Sequence, residues 1–151
     1  MSEMSNRLNP SEIAIGDEGP PVVVENIDRE DFVRYAGASG DFNPIHYNEP
    51  YAKEHGHESV FAQGMFTAGI ASRFVTDWLG IGQLTAFSTR FVAQAWPGDT
   101  LEVMGEVVDI QRSKNNTLVE IEFIVRANDD RTVLIGTATG RYTSESIGTD
   151  E

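Results

Sequence analysis

Apolar and polar residues follow two different periods along the chain, and the change comes after Gly82. Over Met65–Leu79 apolar residues occupy nearly every side of a helix, and Gly80 and Gly82 follow it. A helix that is apolar almost all round is a buried one, so the pattern predicts a long core helix. Beyond Gly82 apolar and polar residues alternate, which is typical of strands with one buried face. The predicted strands are Gln83–Trp96, Leu101–Gln111, Thr117–Ala127 and Thr132–Tyr142.

Two shorter helices and a short strand are predicted before the long helix. Val22–Val24 is the strand candidate, since it is apolar and prolines precede it. Asp28 can cap the first short helix together with Asp31 three residues later, and Gly40 follows its end. Asn48 can cap the second short helix. Helices first and an antiparallel meander second predict an α+β domain.

The length of 151 residues suits one domain with a sizeable core. We expect residues 1–21 to be weakly ordered, residues 22–143 to form the domain, and residues 144–151 to be a polar tail. The chain has no cysteine, which excludes a disulfide framework and a thiolate metal site.

The charge balance disfavours one class of partner. The formal net charge is −13, from 24 acidic and 11 basic residues, and Lys53 and Lys114 are the two lysines. Nucleic-acid binding needs a basic surface, so we expect none. An acidic, lysine-poor surface is typical of a halophilic cytoplasm, where salt screens the repulsion, but an ordinary acidic protein fits equally well. No signal-peptide pattern or membrane span is found in the sequence, and we expect a cytoplasmic protein.

One stretch carries chemistry, and it reads Ser39-Gly40-Asp41-Phe42-Asn43-Pro44-Ile45-His46. Pro44 disfavours a helix here, so an extended loop can hold the Asp41 carboxylate and the His46 imidazole facing one point. Two such groups can share one water, each acting as acid or base. The alternative is a polar turn in which Asp41 and Asn43 bond their own backbone.

The stretch, with Ala52 after it, is similar to the signature of the MaoC-like, or (R)-specific enoyl-CoA hydratase, family of the hot-dog fold. The resemblance runs from about Asp28 to Tyr142 and includes Gly64-Met65 at the start of the long helix and Pro97-Gly98-Asp99 between strands. Val75–Leu79 also resembles the dehydratase subunits of mycobacterial fatty-acid elongation. The resemblance implies a single antiparallel sheet wrapped around the long helix.

The resemblance also implies a reaction, the reversible hydration of a trans-2-enoyl thioester to an (R)-3-hydroxyacyl thioester. Asp41 and His46 would hold the water and move its protons. The N–H of Gly64, at the N-terminal end of the long helix, would take the developing thioester oxygen.

Three further residues are expected to support this site. Asn43 would steady the loop, and Gln63 stands where the family often has a histidine. Ser72 would lie near the acyl chain, with the alternative that its hydroxyl bonds the backbone of its own helix.

Carrier and partners stay open at this point. The substrate brings coenzyme A or a phosphopantetheine arm, and no cofactor or metal is expected. The alternatives are a 3-hydroxyacyl-carrier-protein dehydratase subunit of a heterodimer and a non-catalytic subunit that binds acyl thioesters. A homodimer is expected, because exposed edge strands are usually paired. Arg73, Arg90 and Arg141 are candidates for binding the phosphates of coenzyme A.

Overall fold

The computed structural model describes residues 6–143, which form one antiparallel sheet of five strands and three helices. The helices are α1 (Arg29–Ser39), α2 (Glu49–Glu54) and α3 (Gly64–Leu79), with one 3-10 turn at Pro44–His46. The strands are β1 (Val22–Val24), β2 (Leu84–Phe91), β3 (Leu101–Arg112), β4 (Asn116–Ala127) and β5 (Thr132–Thr143). The strand order in the sheet is β1-β3-β4-β5-β2.

The inner face of the sheet packs on α3, and this contact forms the core. Alternate residues of the long strands are buried there, as the alternating sequence pattern predicts. The buried strand residues include Val103, Val107, Ile121, Val125 and Leu134, and those of α3 include Ala71, Phe74, Val75, Trp78 and Leu79. The antiparallel sheet wrapped around a long central helix, expected from the resemblance, is confirmed.

The surface of α3 differs from the expectation in one respect. Met65, Gly69, Arg73 and Asp77 are exposed, and Met65 is 61% exposed. Residues four apart lie above one another on a helix, so these four form one solvent-facing stripe. The helix is therefore not buried on all sides, and the prediction was wrong for Met65.

The caps of α1 determine where the chain enters the loop that follows. The Asp28 side chain accepts from the N–H groups of Glu30 and Asp31, and Asp31 Oδ2 accepts from Asp28 N at 3.0 Å. Gly40 ends the helix at a φ of 77°, a left-handed conformation that favours glycine. Both predicted caps are confirmed.

The N-terminal segment contacts the domain although we expected it to be weakly ordered. Leu8 is buried, and its N–H donates to Trp78 O at 2.8 Å. Gly16 N and Gly19 N donate to carbonyls of β3 at 2.8 and 3.0 Å. Leu8 belongs to the core cluster and the partly buried Ile13 packs against it, so two separated apolar residues join this polar segment to the domain. Residues 1–5 and 144–151 lie outside the described part, and the domain boundaries stay a prediction.

No helix within residues 6–143 is long and apolar enough to cross a membrane.

Candidate active site

The loop between α1 and α2 holds the acid and the imidazole that the motif brings together. Asn43 caps the 3-10 turn, since its Oδ1 accepts from Ile45 N at 3.2 Å. Asp41 Oδ1 lies 3.3 Å from Asn43 N, and Asp41 N donates to Ser39 Oγ at 3.1 Å. The polar-turn interpretation of Asp41 and Asn43 therefore holds, and it leaves the second carboxylate oxygen of Asp41 outside these turn contacts.

His46 is buried and its ring is fixed from one side. Its Nδ1 lies 2.7 Å from Phe61 O, and its ring meets the Phe61 ring edge to face at 5.2 Å. A carbonyl oxygen can only accept, so Nδ1 carries a proton. In the neutral imidazole Nε2 then presents a lone pair.

That lone pair faces Asp41. Asp41 Oδ2 and His46 Nε2 are 3.8 Å apart, which is too long for a direct hydrogen bond. A water oxygen can lie within hydrogen-bond distance of both atoms, because 3.8 Å is less than twice the usual bond length. The Asp41 side chain is 44% exposed, so water reaches the pair from solvent.

Phe61 is a residue of the candidate site that sequence reasoning missed. Its carbonyl sets the tautomer of His46. Its ring also packs against the rings of Trp96 and His57, with centroid distances of 5.7 and 4.7 Å. No signal in the sequence could have found it by side-chain chemistry, since every residue carries a carbonyl.

Gly64 begins α3 three residues after Phe61. Its N–H belongs to the first turn, where amides have no acceptor within the helix and the positive end of the helix dipole lies. Gly64 lines a cavity of about 250 Å³ together with Phe61, Thr67 and Phe91. A Cβ on Gly64 would meet the Phe91 ring at 3.1 Å, so the ring lies directly against the backbone of Gly64. The site can thus place an N–H donor close to the segment that orients His46.

Gln63 is fully buried and joins the start of α3 to α1. Its Nε2 donates to Phe32 O at 2.8 Å, whereas its Oε1 has no hydrogen-bond partner within residues 6–143. Ser72 Oγ donates to Gly69 O at 2.8 Å, which is the alternative considered above for this hydroxyl. Ser72 is also eight residues along α3 from Gly64, or roughly 12 Å. The roles of Gln63 and Ser72 in the reaction stay predictions.

The three candidate arginines lie on different parts of the molecule. Arg73 pairs with Asp77 at 3.5 Å on the exposed stripe of α3. Arg90 lies opposite Ile135 on the outer face of the sheet, and Arg141 Nε donates to Asn116 at 3.1 Å. In the part of the chain that the structure describes, none of them contacts the dyad or Gly64.

Most of the chain is similar in sequence to a known protein family. Residues 13–128 match the model of a family described as "MaoC like domain". The probable enoyl-CoA hydratase 2 of Dictyostelium discoideum is 34% identical over 90 residues, which are 57% of this chain and 31% of that protein. The mitochondrial 3-hydroxyacyl-(acyl-carrier-protein) dehydratase of Arabidopsis thaliana is 25% identical over 111 residues, 73% of this chain and 67% of that protein. The chain thus spans less than a third of the first of these relatives.

A solved structure shows the same fold. A chain in the crystal structure of the ChsH1–ChsH2 complex from Mycobacterium tuberculosis superposes with a TM-score of 0.73 at 21% identity. The match covers 86% of this chain and 98% of that chain. It identifies the architecture as the hot-dog fold.

Proposed function

Because this chain belongs to the MaoC-like family, we propose that it is an (R)-specific enoyl-CoA hydratase of fatty-acid metabolism. The same hydro-lyase would act in reverse as a 3-hydroxyacyl-thioester dehydratase. One observation carries the proposal, the 3.8 Å between Asp41 Oδ2 and His46 Nε2 with the other ring nitrogen held by Phe61 O. This arrangement leaves two basic atoms facing the position of one water.

The proposed hydration adds the elements of one water across the C2–C3 double bond. The Asp41 carboxylate accepts a hydrogen bond from the water and orients it. His46 Nε2 accepts the proton that the water loses while its oxygen bonds to C3. The electron pair of the double bond moves onto the thioester oxygen as an enolate. Return of the proton from the dyad to C2 then gives the 3-hydroxyacyl thioester.

The enolate needs a donor, and Gly64 N–H is proposed for it. An amide in the first turn of a 16-residue helix combines a fixed N–H with the positive end of the dipole. The Phe91 ring lies against one side of Gly64 and would bound the position of the thioester there. The reaction as written uses no metal or cofactor, and that remains part of the proposal.

The negative charge of this protein weighs against an acyl carrier protein as the carrier of the acyl group. The Arabidopsis relative is named for an acyl carrier protein, so the dehydratase-subunit alternative has support. Carrier proteins are acidic, however, and a partner with a net charge of −13 repels them unless salt screens the charges. A non-catalytic binding subunit is less well supported, because it has no need of a carboxylate and an imidazole facing one point.

We propose a homodimer as the working unit, with a heterodimer as the alternative that the ChsH1–ChsH2 complex suggests. The strand β2 lies at one edge of the sheet, and its outer side has no neighbouring strand within the described residues. Pairing with β2 of a second copy would cover this edge. Light scattering measures the mass of the particle in solution.

The direct test is turnover of crotonyl-CoA by the wild-type protein, followed by chiral analysis of the product. The proposal expects 3-hydroxybutyryl-CoA of the R configuration. The same assay with the crotonyl group on an acyl carrier protein identifies the preferred carrier. An S product would contradict the assignment, and no turnover with either carrier would favour the binding subunit.

A further inference from the structure

The inner face of β2 carries an aromatic surface that the core leaves uncovered. Phe87, Thr89 and Phe91 alternate along the strand and share one face, which we call the aromatic strip. Phe87 lies opposite Ala138 and Phe91 opposite Leu134 in β5. Ala138 and Leu134 are buried core residues, so the aromatic strip faces the α3 side of the sheet. Nevertheless Phe87 is 36% exposed and Phe91 is 51% exposed.

Each end of the aromatic strip is anchored. The Phe91 ring lies against Gly64, the residue proposed to bind the thioester oxygen. The Phe87 ring stacks on Phe123 with the centroids 5.5 Å apart and the planes at 15°. Phe123 is buried, and Gly136 makes room for its ring because any Cβ there would collide with it. The aromatic strip is therefore an apolar surface that begins at the proposed thioester site and is supported by ring contacts at both ends.

We infer that the aromatic strip binds the acyl chain of the substrate, and that the preferred substrates are medium-chain enoyl thioesters. This inference rests on the proposed function, since it places the thioester at Gly64. The chain would run from Phe91 over Thr89 to Phe87. Four residues of a strand span roughly 13 Å. Each carbon–carbon bond of about 1.5 Å advances an extended chain by roughly 1.3 Å, so the strip matches about ten carbons.

The chemistry of the strip fits an alkyl chain. It has no charged group, whereas the polar residues of the same strand, Ser88 and Arg90, lie on the opposite face. A second copy that pairs with the edge of β2 would use backbone groups and would leave these side chains directed towards α3. An acyl chain and a paired copy can therefore occupy the molecule together.

Calorimetric binding of two saturated thioesters, butyryl-CoA and decanoyl-CoA, tests the inference. Full burial of one methylene raises affinity roughly fourfold. A methylene that the aromatic strip covers on one side only should raise affinity about twofold. Six extra methylenes then predict decanoyl-CoA to bind roughly 50-fold more tightly than butyryl-CoA in the wild type. In Phe87→Ala this ratio should fall below about tenfold, because the far half of the aromatic strip is lost.

Two further variants control for misfolding and for nonspecific effects on the sheet. Phe87→Leu keeps an apolar side chain against Phe123 and should fold even if the alanine variant does not, with an intermediate ratio. Met104→Ala is the matched control, since Met104 is a partly exposed apolar residue on the outer face of the same sheet and should leave the ratio unchanged.

The outcomes separate this inference from the proposed function. Equal affinity for the two thioesters, no binding of decanoyl-CoA, or an unchanged ratio in both Phe87 variants would overturn it. An unchanged ratio with a smaller particle mass in Phe87→Ala would assign the aromatic strip to the contact between copies instead. A lack of crotonyl-CoA turnover would refute the hydratase. Saturated thioesters do not react, so the ratio of decanoyl-CoA to butyryl-CoA affinity would still test acyl binding by the aromatic strip.

Discussion

Gln63 is a buried polar residue directly before Gly64, and its side-chain amide contributes to the stability of the fold. Its side chain is fully buried, with Nε2 donating to Phe32 O at 2.8 Å and Oε1 unpartnered within the described chain. A carboxylate in this place would be desolvated, without a donor, and directed at a carbonyl oxygen. Burying such a charge is far more costly than burying an apolar chain of the same size.

We therefore expect Gln63→Glu to lower the free energy of unfolding by at least about 3 kcal/mol at neutral pH. Gln63→Met, which is nearly isosteric, should cost about 1 kcal/mol, because it leaves Phe32 O without the donor but removes the unpartnered oxygen as well. Urea denaturation of the two variants measures both values. Equal losses of unfolding free energy in the two variants would show that water reaches the side chain at position 63.

At the residue scale, side-chain type and spacing could predict Asp41 and His46, because acid and base chemistry resides in those groups. Phe61 could not be predicted, since it acts through a carbonyl that every residue has. The exposure of Met65 was missed because a nearly continuous apolar pattern does not say which side of a helix faces solvent. The aromatic strip needed the register of β2 against β5, which depends on contacts between residues far apart in sequence.

At the scale of the elements, two asparagines cap neighbouring helical segments, and their substitutions can be compared directly. Asn43 caps the 3-10 turn that contains His46, and Asn48 caps α2 by accepting from Tyr51 N at 3.1 Å. Loss of either cap should cost about 1 kcal/mol of stability. Only the first cap fixes the turn that places the imidazole.

Asn43→Ala is accordingly expected to lower kcat by more than about tenfold, since small displacements of a catalytic group are costly. Asn48→Ala should lower the melting temperature about as much as Asn43→Ala does, but it should leave kcat nearly unchanged. Thermal melts and crotonyl-CoA kinetics on both variants make the comparison. A parallel loss of kcat in the two proteins would mean that Asn43 acts through stability alone.

A small ion-pair network holds α2 against α1. Glu49 Oε1 lies 3.0 Å from Lys53 Nζ, and Glu49 Oε2 lies 2.9 Å from the guanidinium of Arg29. Hydrogen bonds from Lys53 and then Arg29 lower the pKa of Glu49 below its ordinary value of 4.5. A carboxyl group with a lowered pKa in the folded state stabilises the fold above its ordinary pKa, and that contribution disappears as the pH falls through the folded value.

The wild type should therefore melt at a higher temperature than Glu49→Gln at about pH 7, and the difference should shrink as the pH falls below 4.5, the ordinary pKa of Glu49. Glu54→Gln is the control, because Glu54 lies in the same helix and makes no ion pair within residues 6–143. Melting curves over this pH range provide the measurement. A difference that stayed constant with pH would exclude the network as its cause.

Most helices and strands were predictable at this scale to within a few residues, because caps and alternation are local. The predicted strand Gln83–Trp96 was wrong at its end, since β2 stops at Phe91. The strand order was not, since β1 joins β3 and β2 joins β5 through contacts distant in sequence. The resemblance supplied the wrapped sheet that periodicity alone left open.

Charge distribution is the property of the whole molecule that most needs an experiment. Glu106 lies directly opposite Glu122 across β3 and β4, and Asp109 lies opposite Glu120. Like charges in direct cross-strand positions destabilise a sheet, and salt screens such exposed pairs. Four of the 24 acidic residues therefore lie in positions where like charges face each other across the sheet.

We predict that the melting temperature rises strongly between low salt and about 2 M KCl, where the screening length falls to a few ångströms. Glu122→Gln should raise the low-salt melting temperature and reduce its dependence on KCl, because one of the opposed pairs is removed. Glu58→Gln, at an exposed position in the loop before α3, is the control. A flat or falling curve for the wild type would refute the halophilic interpretation and leave the catalytic account unaffected.

The central claim is that Asp41 and His46 act as one unit on one water, and mutant kinetics test it most directly. The kcat for crotonyl-CoA hydration is measured for the wild type, Asp41→Asn, His46→Ala and the double variant, with a thermal melt of each. We predict that each single substitution lowers kcat by roughly 10²–10⁴-fold in a folded protein. The double variant should be little worse than the poorer single one, because the two losses are not additive. A well-folded Asp41→Asn protein with a kcat near the wild-type value would contradict the mechanism.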